Sequence, residues 1–339
     1  MQARPRGNQP TILVTARNVD PAAIQYLVDH GCTVRHPPLA GRDPAPDTLP
    51  ALLEDVDGWI VGGTNVGHDL LAAHPRLQVI ARRGVGYEQI DVPAAVALGR
   101  VVTIAAGGNG PSVADHAVGM ILAVAKQLVI MTEQMRRGDW TYRTGWELHE
   151  KTVGIIGLGR IGRLVARRLR GFDITILATD IAPDPDAAAA LGVTLTDLPT
   201  LLRDSDAVTI HAPLTPLTRG LIDAAALAAM KPDAILINTA RGGIVDEAAL
   251  DAALRAGHLA GAGLDVFWAE KDAEHNEVAL SLVRLPNVVA TPHTAAATHE
   301  GLARTNLIAA RTVVAILEGS APPPDCIVAD GRQPAAARP

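Results

Sequence analysis

From residue 11 onward, short apolar runs alternate with longer segments whose apolar positions recur at helical spacing. The runs at 11–15 (TILVT), 32–35 (CTVR), 58–62 (GWIVG), 77–81 (LQVIA) and 101–104 (VVTI) read as strands. Helices are expected at 21–30 and 47–54 and between the later strands. A second series begins at Thr152, with strands at 152–156, 174–180, 207–212, 234–240, 261–266 and 288–293, and a last helix over 301–317. Strand–helix alternation of this kind packs as a parallel sheet with helices on its faces, so the fold class is α/β. Between the two series a helical pattern runs from Pro111-Ser112 to near Gly138. Proline suits a first helical turn because its missing N–H has no partner there. The pattern predicts one continuous helix of roughly 40 Å, long enough to link two domains.

Composition narrows the picture. A chain of 339 residues suggests two domains at roughly 100–200 residues each. Hydrophobic residues make up 48% but aromatics only 3%, so Ala, Val, Leu and Ile must fill the cores, as suits buried parallel strands. The net charge of −6, with no basic block, lacks the footprint of a nucleic-acid binder. Cys32 and Cys326 are far apart without ligand-like spacing, which points to a reducing compartment and away from disulfides or zinc. The N-terminal MQARPRGNQP is too polar for a secretory signal. The stretch 117–131 is interrupted by Lys126 and Gln127 and is too short to span a bilayer. A cytoplasmic protein is expected, with no metal, membrane or nucleic-acid partner.

The segment GIIGLGRIG (154–162) places Gly157, Gly159 and Gly162 in a G-x-G-x-x-G pattern between a strand and a helix. The first glycine permits a tight turn, the second lets backbone approach a pyrophosphate, and the third lets helix and strand pack closely. Glycines alone can merely make a turn. Here the next strand ends at Asp180, at the spacing of about 20 residues where a carboxylate meets the adenosine ribose and repels a 2′-phosphate. The cofactor expected is NAD.

Three polar residues follow strands of the second series: Arg241, Glu270 and His293. Ligands of open α/β sheets bind beyond the carboxyl ends of strands, so the three can converge. Arg241 can grip a carboxylate and polarise a keto oxygen. His293 can give or take a proton, and Glu270 can orient its ring. Taken singly, each has a plain reading: a surface ion pair, a solvated carboxylate in a charged stretch, a turn histidine.

Together the segments GVGYEQID (84–91), NGPSVADHAVG (109–119), GIIGLGRIG (154–162), SDAVTIHAPLTPLT (205–218), MKPDAILINTARGGIVDEAAL (230–250), GAGLDVFWAE (261–270) and PNVVATPHTAA (286–296) resemble the D-isomer-specific 2-hydroxyacid dehydrogenase family, in particular its phosphoglycerate dehydrogenase-like branch. The resemblance implies a Rossmann NAD-binding domain over 107–294 and a discontinuous flavodoxin-like substrate domain over 10–106 and 295–328. Residues 1–9 and 329–339 are expected as disordered tails. It implies Arg241 as carboxylate anchor and His293 as acid/base paired with Glu270. Cofactor contacts are implied at Gly157, Gly159, Arg160, Ile161, Gly162, Asp180, Ala212, Pro213, Thr239 and Asp265, and substrate contacts at Val85 and Gly86 with Arg241.

The chain departs from the family's usual pattern at Asp115, at Glu88-Gln89, at Glu270-Lys271 and at Gly62-Gly63, where a phosphate-binding Arg often sits. Arg82 and Arg83 are left either as phosphate ligands or as surface and interface residues. Glu270 argues against formate dehydrogenases, which carry Gln beside the histidine. The function implied is hydride transfer between nicotinamide and a small 2-hydroxy or 2-keto acid of phosphoglycerate, hydroxypyruvate or glyoxylate type. An NAD(H)-sensing, corepressor-like interaction protein on the same scaffold is the alternative. The apolar run AVGMILAVA suggests a homodimer interface or packing against the Rossmann sheet.

Overall fold

The computed structural model describes residues 9–39, 43–270 and 272–332. The chain opens with β1 (Thr11–Val14), α1 (Pro21–Asp29), β2 (Thr33–Arg35), α2 (Leu49–Leu53) and β3 (Gly58–Val61). It continues through α3 (His68–Ala73), β4 (Val79–Arg82), α4 (Val92–Ala97) and β5 (Val101–Ile104). The next stretch holds α5 (Gly110–Ala125), α6 (Leu128–Arg136), β6 (Thr152–Ile156), α7 (Arg160–Leu169), β7 (Thr175–Thr179), α8 (Pro185–Leu191) and β8 (Val193–Leu195). Then come α9 (Leu198–Asp204), β9 (Ala207–Ile210), α10 (Ala224–Ala229), β10 (Ile235–Asn238), α11 (Glu247–Arg255), β11 (Gly261–Leu264), α12 (Asn276–Val283) and β12 (Val288–Ala290). The chain closes with α13 (His299–Leu317) and β13 (Ile327–Asp330).

These elements form two compact units, one from Gly110–Ala297 and one from the chain on either side of it. The flanking unit carries a six-stranded sheet in the order β13-β5-β4-β3-β1-β2, parallel except for β13. The inserted unit carries a seven-stranded parallel sheet, β12-β11-β10-β9-β6-β7-β8. The central strands are buried on both faces, which is why they read as continuous apolar runs. In the inserted unit Val153, Ile155, Ile235 and Ile237 face one core with α5 and α7, while Val208, Ile210 and Leu236 face the other. In the flanking unit Trp59, the largest fully buried side chain, donates its indole N–H to Thr15 Oγ1 at 2.8 Å, so it brings no orphaned polar atom into the core.

Helix starts follow the sequence closely. Asp20, Asp184, Asp197 and Asp246 each cap a helix, their carboxylates accepting first-turn N–H groups, and proline follows at the start of the first three of those helices.

The single long helix is corrected to two, α5 and α6, bent by 63°. Gln127 turns into the left-handed region at φ 52°. The cause is tertiary: the Ala125 carbonyl accepts from Trp146 N–H at 3.0 Å, and Gln127 Nε2 donates to the Thr144 carbonyl at 2.9 Å. A returning segment thus takes the carbonyl that a continuous helix would give to the residue four positions on.

The expectation that order ends at 328 is also corrected. The described chain continues to Arg332, because β13 pairs antiparallel with β5 through Ala329↔Val102 and Asp330↔Val101. The expected tails at 1–8 and 333–339 lie outside the described residues, while Gln9 is described. Cys32 and Cys326 are both buried and form no disulfide. Among the described residues no single helix is long and apolar enough to cross a membrane; the bent α5–α6 pair passes by length and composition, and α5 is half core residues.

Candidate active site

The inserted unit's sheet presents Gly157, His211 and Thr239 just past the carboxyl ends of β6, β9 and β10, whose last residues Ile156, Ile210 and Asn238 are in register. Gly157 has φ +93°, and a Cβ there would lie 2.8 Å from the Ala212 backbone nitrogen. A Cβ on Gly162 would lie 2.1 Å from the Gly157 carbonyl, so α7 begins directly on the turn. Gly159 is different: a Cβ there would meet nothing within 4 Å, and no side chain caps the helix it precedes. Helix α7 therefore starts at a glycine with open space beside it, as an anion site requires.

Asp180 stands one residue past β7 and braces this turn. Its Oδ2 accepts Leu158 N–H at 2.7 Å and its Oδ1 accepts Ala182 N–H at 2.9 Å. Beyond β9, Thr218 Oγ1 donates to the Pro213 carbonyl at 2.6 Å, fixing the Ala212-Pro213 loop. His211 Nε2 lies 3.0 Å from Thr209 Oγ1, and desolvation pushes its pKa down to about 3, so the ring is neutral. His211 Nδ1 and Thr239 Oγ1 are enclosed without a partner among the described residues. An open glycine-lined cradle, an uncapped helix start and two orphaned polar atoms fit a bound dinucleotide.

Arg241 comes next. Buried Asn238 accepts Ala240 N–H at 3.0 Å and donates to the Arg241 carbonyl at 2.9 Å, which sets the turn that carries the guanidinium. Gly242 and Gly243 follow because the segment leading to Glu270 lies against them. A Cβ on Gly242 would sit 2.2 Å from the Phe267 carbonyl carbon, and one on Gly243 would sit 2.1 Å from the Trp268 ring. From the other side, Glu247 at the start of α11 accepts Trp268 N–H at 2.6 Å. Burial raises the Glu247 pKa against the opposing pull of Trp268 and His275.

Glu270 accepts Phe267 N–H at 2.8 Å on Oε1 and faces His293 Nδ1 at 2.6 Å on Oε2. Burial opposes ionisation of Glu270. The hydrogen bond and charge of His293 outweigh it, helped by Phe267 N–H and the Arg241 charge, and hold the carboxyl below its usual range. With Nδ1 so engaged, Nε2 is the ring nitrogen left to exchange a proton with a substrate. His293 itself has φ 53°, an uncommon conformation for a residue with a side chain. It is held by its N–H, which lies 2.8 Å from the Asp265 carbonyl and 3.0 Å from that of Thr291.

Asp265 is completely buried. Its Oδ1 accepts from Thr291 Oγ1 at 2.5 Å and Thr294 N–H at 2.7 Å, and its Oδ2 accepts Ala295 N–H at 2.9 Å. Within the structure, then, this residue ties down the turn that carries His293.

The inserted unit thus brings Arg241, Glu270 and His293 together at one edge. Val85 and Gly86 lie half-buried in the loop after β4 of the flanking unit. Arg82 donates to the Arg83 carbonyl at 2.8 Å; burial and the Arg17 charge lower the Arg83 pKa, and Asp43 counters them. Lys271 lies outside the described residues. Sequence reasoning missed the supports: Asn238, Glu247 and the bracing role of Asp265. Only the Asn inside an otherwise apolar strand and the pair of glycines after Arg241 signalled them.

Fold and site together define a dinucleotide-binding protein with an acid–base pair beside an arginine. The D-isomer specific 2-hydroxyacid dehydrogenase NAD binding domain matches residues 118–295, and the chain belongs to that family. It is similar to the D-3-phosphoglycerate dehydrogenase of Mycobacterium tuberculosis, 42% identical over 279 residues that cover 81% of this chain and 52% of that protein. It is also similar to the glyoxylate reductase of Thermococcus litoralis, 39% identical over 83% of this chain and 88% of that one. Among solved structures, the D-lactate dehydrogenase of Aquifex aeolicus complexed with NAD and lactic acid superposes with a TM-score of 0.79 at 28% identity, covering 96% of this chain and 100% of that one. The chain spans about half the length of the phosphoglycerate dehydrogenases it matches.

Proposed function

We propose that this protein is an NAD-dependent oxidoreductase acting on the CH–OH group of a small 2-hydroxy acid, or in reverse on the 2-keto acid. The observation that carries this reading is the 2.6 Å Glu270–His293 pair, with Arg241 close enough to favour the ionised form of Glu270, at the edge of an NAD-binding unit.

NAD, when bound, supplies the two-electron chemistry. Gly157, Gly159, Arg160, Ile161 and Gly162 are assigned to its pyrophosphate, Asp180 to its adenosine ribose, and Ala212, Pro213, Thr239 and Asp265 to the remainder. Arg241 binds the substrate carboxylate as a planar fork of donors. His293 holds at Nε2 the proton that a keto oxygen takes up on reduction, and accepts it in the opposite direction. Glu270 fixes the ring through Nδ1. The flanking unit is assigned as the substrate domain, with Val85 and Gly86 contributing backbone groups.

The substrate is assigned to the hydroxypyruvate, glyoxylate or phosphoglycerate type, in keeping with the relatives' names. We place the protein in the cytoplasm, on its two unbridged cysteines. A second copy is the proposed partner, on the exposed Leu128, Val129, Met135, Trp140 and Tyr142 in and after α6.

The test follows NADH and NADPH absorbance with glyoxylate, hydroxypyruvate, pyruvate, larger 2-keto acids and, in reverse, 3-phosphoglycerate. Turnover of at least one acid with NADH is expected. It should fall by about a hundredfold or more in Arg241→Ala and His293→Ala. Unchanged turnover in both variants would overturn the roles of these two residues. NADH binding with no acid turned over would leave the sensing protein as the better reading.

A further inference from the structure

The turn that carries His293 is anchored to a helix. Helix α5 lies along β11 so that Val124, Met120 and His116 stand over Gly261, Gly263 and Asp265 in turn. A Cβ on Gly261 would approach Val124 Cγ1 to 2.7 Å, and one on Gly263 would approach Met120 Cβ to 3.0 Å. Four residues of helix advance about 6 Å and two residues of strand about 6.6 Å, so the two rows stay in step. Because glycines admit the helix this closely, the third member of the row reaches the catalytic turn. His116 Nε2 lies 3.0 Å from Thr291 Oγ1 and 3.7 Å from Asp265 Oδ1.

The direction of these bonds follows from the donor inventory. The Thr291 hydroxyl has one proton, and it goes to Asp265 Oδ1 at 2.5 Å. Thr291 Oγ1 therefore accepts from His116, which fixes the proton on Nε2 of that ring. Asp265 in turn takes the N–H groups of Thr294 and Ala295, which directly follow His293. A continuous chain of hydrogen bonds runs from α5 to the residues flanking the acid/base.

We propose that His116 is a positioning residue for His293, acting through Thr291 and Asp265 to hold the ring against Glu270. This assignment rests on the role of His293 as acid/base. His116 touches no reacting atom; its removal loosens the turn, so the fraction of His293 poised for proton transfer falls while carboxylate and cofactor binding persist.

The experiment compares His116→Ala, Thr291→Val and Thr291→Ser with the wild type by steady-state kinetics, NADH fluorescence binding and thermal unfolding. His116→Ala and Thr291→Val should each lower kcat tenfold or more, with KM and the NADH dissociation constant within twofold. Thr291→Ser keeps the hydroxyl and should keep over half of kcat. The double variant His116→Ala/Thr291→Val should be no slower than the slower single variant, since both break one chain. Wild-type kcat in a folded His116→Ala, multiplicative losses in the double variant, or a Thr291→Ser as slow as Thr291→Val would overturn the proposal. If His116→Ala does not fold, the two Thr291 variants decide the matter.

A second readout needs no turnover. In protein labelled with 15N-histidine, the His293 ring signals, assigned by their loss in His293→Ala, should move in His116→Ala and Thr291→Val and return in Thr291→Ser. Ring signals unmoved in all three variants would overturn the proposal even in an active enzyme. A wild type that turns over no 2-keto acid would defeat the functional reading, while the ring spectrum would still decide this one.

Discussion

At the scale of single residues, the site holds two groups with lowered pKa values, a carboxyl kept charged and an imidazole kept neutral. Glu270 is kept ionised against its own burial, chiefly by His293. A carboxyl with a depressed pKa contributes stability that is present above the ordinary carboxylate range and lost as pH falls through its folded value. Glu270→Gln should therefore cost stability at pH 7 and little or nothing once the pH is below that value, as urea midpoints at the two pH values would show. The same variant should lower kcat by about tenfold or more, because the carboxylate that orients the His293 ring through Nδ1 is lost.

His211 is held neutral rather than charged. Its ring stays neutral down to about pH 3, from an ordinary value of 6.5, because burial penalises its charge. The unfolded chain takes up that proton first, so stability is lost progressively as pH falls from about 6.5 toward 3. Unfolding curves for His211→Gln should be flatter over that range, and an equally steep loss would contradict the assignment. Arg241, Glu270 and His293 stood out in the sequence only as a joint pattern of polar residues beyond the ends of three apolar strands. Asn238, Glu247 and His116 did not, since a residue that works by touching another loop leaves no local signature.

Among the elements, those built from local preference were readable and those built from contact were not. Asp caps followed by proline mark helix starts that any reading of the chain can find. The break between α5 and α6 has no glycine or proline to announce it; a distant segment, at Thr144 and Trp146, takes up its polar groups. Strand β13 was hidden by its place after a proline-rich stretch, and it exists because β5 offers it an edge.

The glycines after Arg241 give a direct test at this scale. Gly243→Ala puts a methyl where the Trp268 ring lies, at a φ of +81° that disfavours any side chain. A loss of about 1–3 kcal/mol is expected, with kcat falling as the segment bearing Glu270 is displaced. Calorimetry and kinetics on one preparation would show both, and an unperturbed variant would mean that the segment packs differently.

For the molecule as a whole, the two-series pattern made the inner strands of both sheets legible but not the edge strands β8 and β13, and the exposed face around α6 said little in sequence because its apolar residues are scattered. Trp140 and Tyr142 are 81% and 85% exposed in a chain with few aromatics. If they meet a second copy, Trp140→Glu with Tyr142→Glu should convert a dimer to monomer in light scattering. A wild type that is monomeric at micromolar concentration would remove the dimer.

The insertion of one unit within the other also orders events during synthesis. Residues 110–297 form a continuous stretch whose parallel sheet is complete once β12 has left the ribosome. The flanking unit must wait, because Val313 of α13 fills the space beside Gly58, and β13 closes the sheet edge at β5. For most of translation, then, the first-made part of that unit, with five of its six strands, lacks both a covering helix and an edge strand. This is the period when unpaired strand edges are open to aggregation and to chaperones.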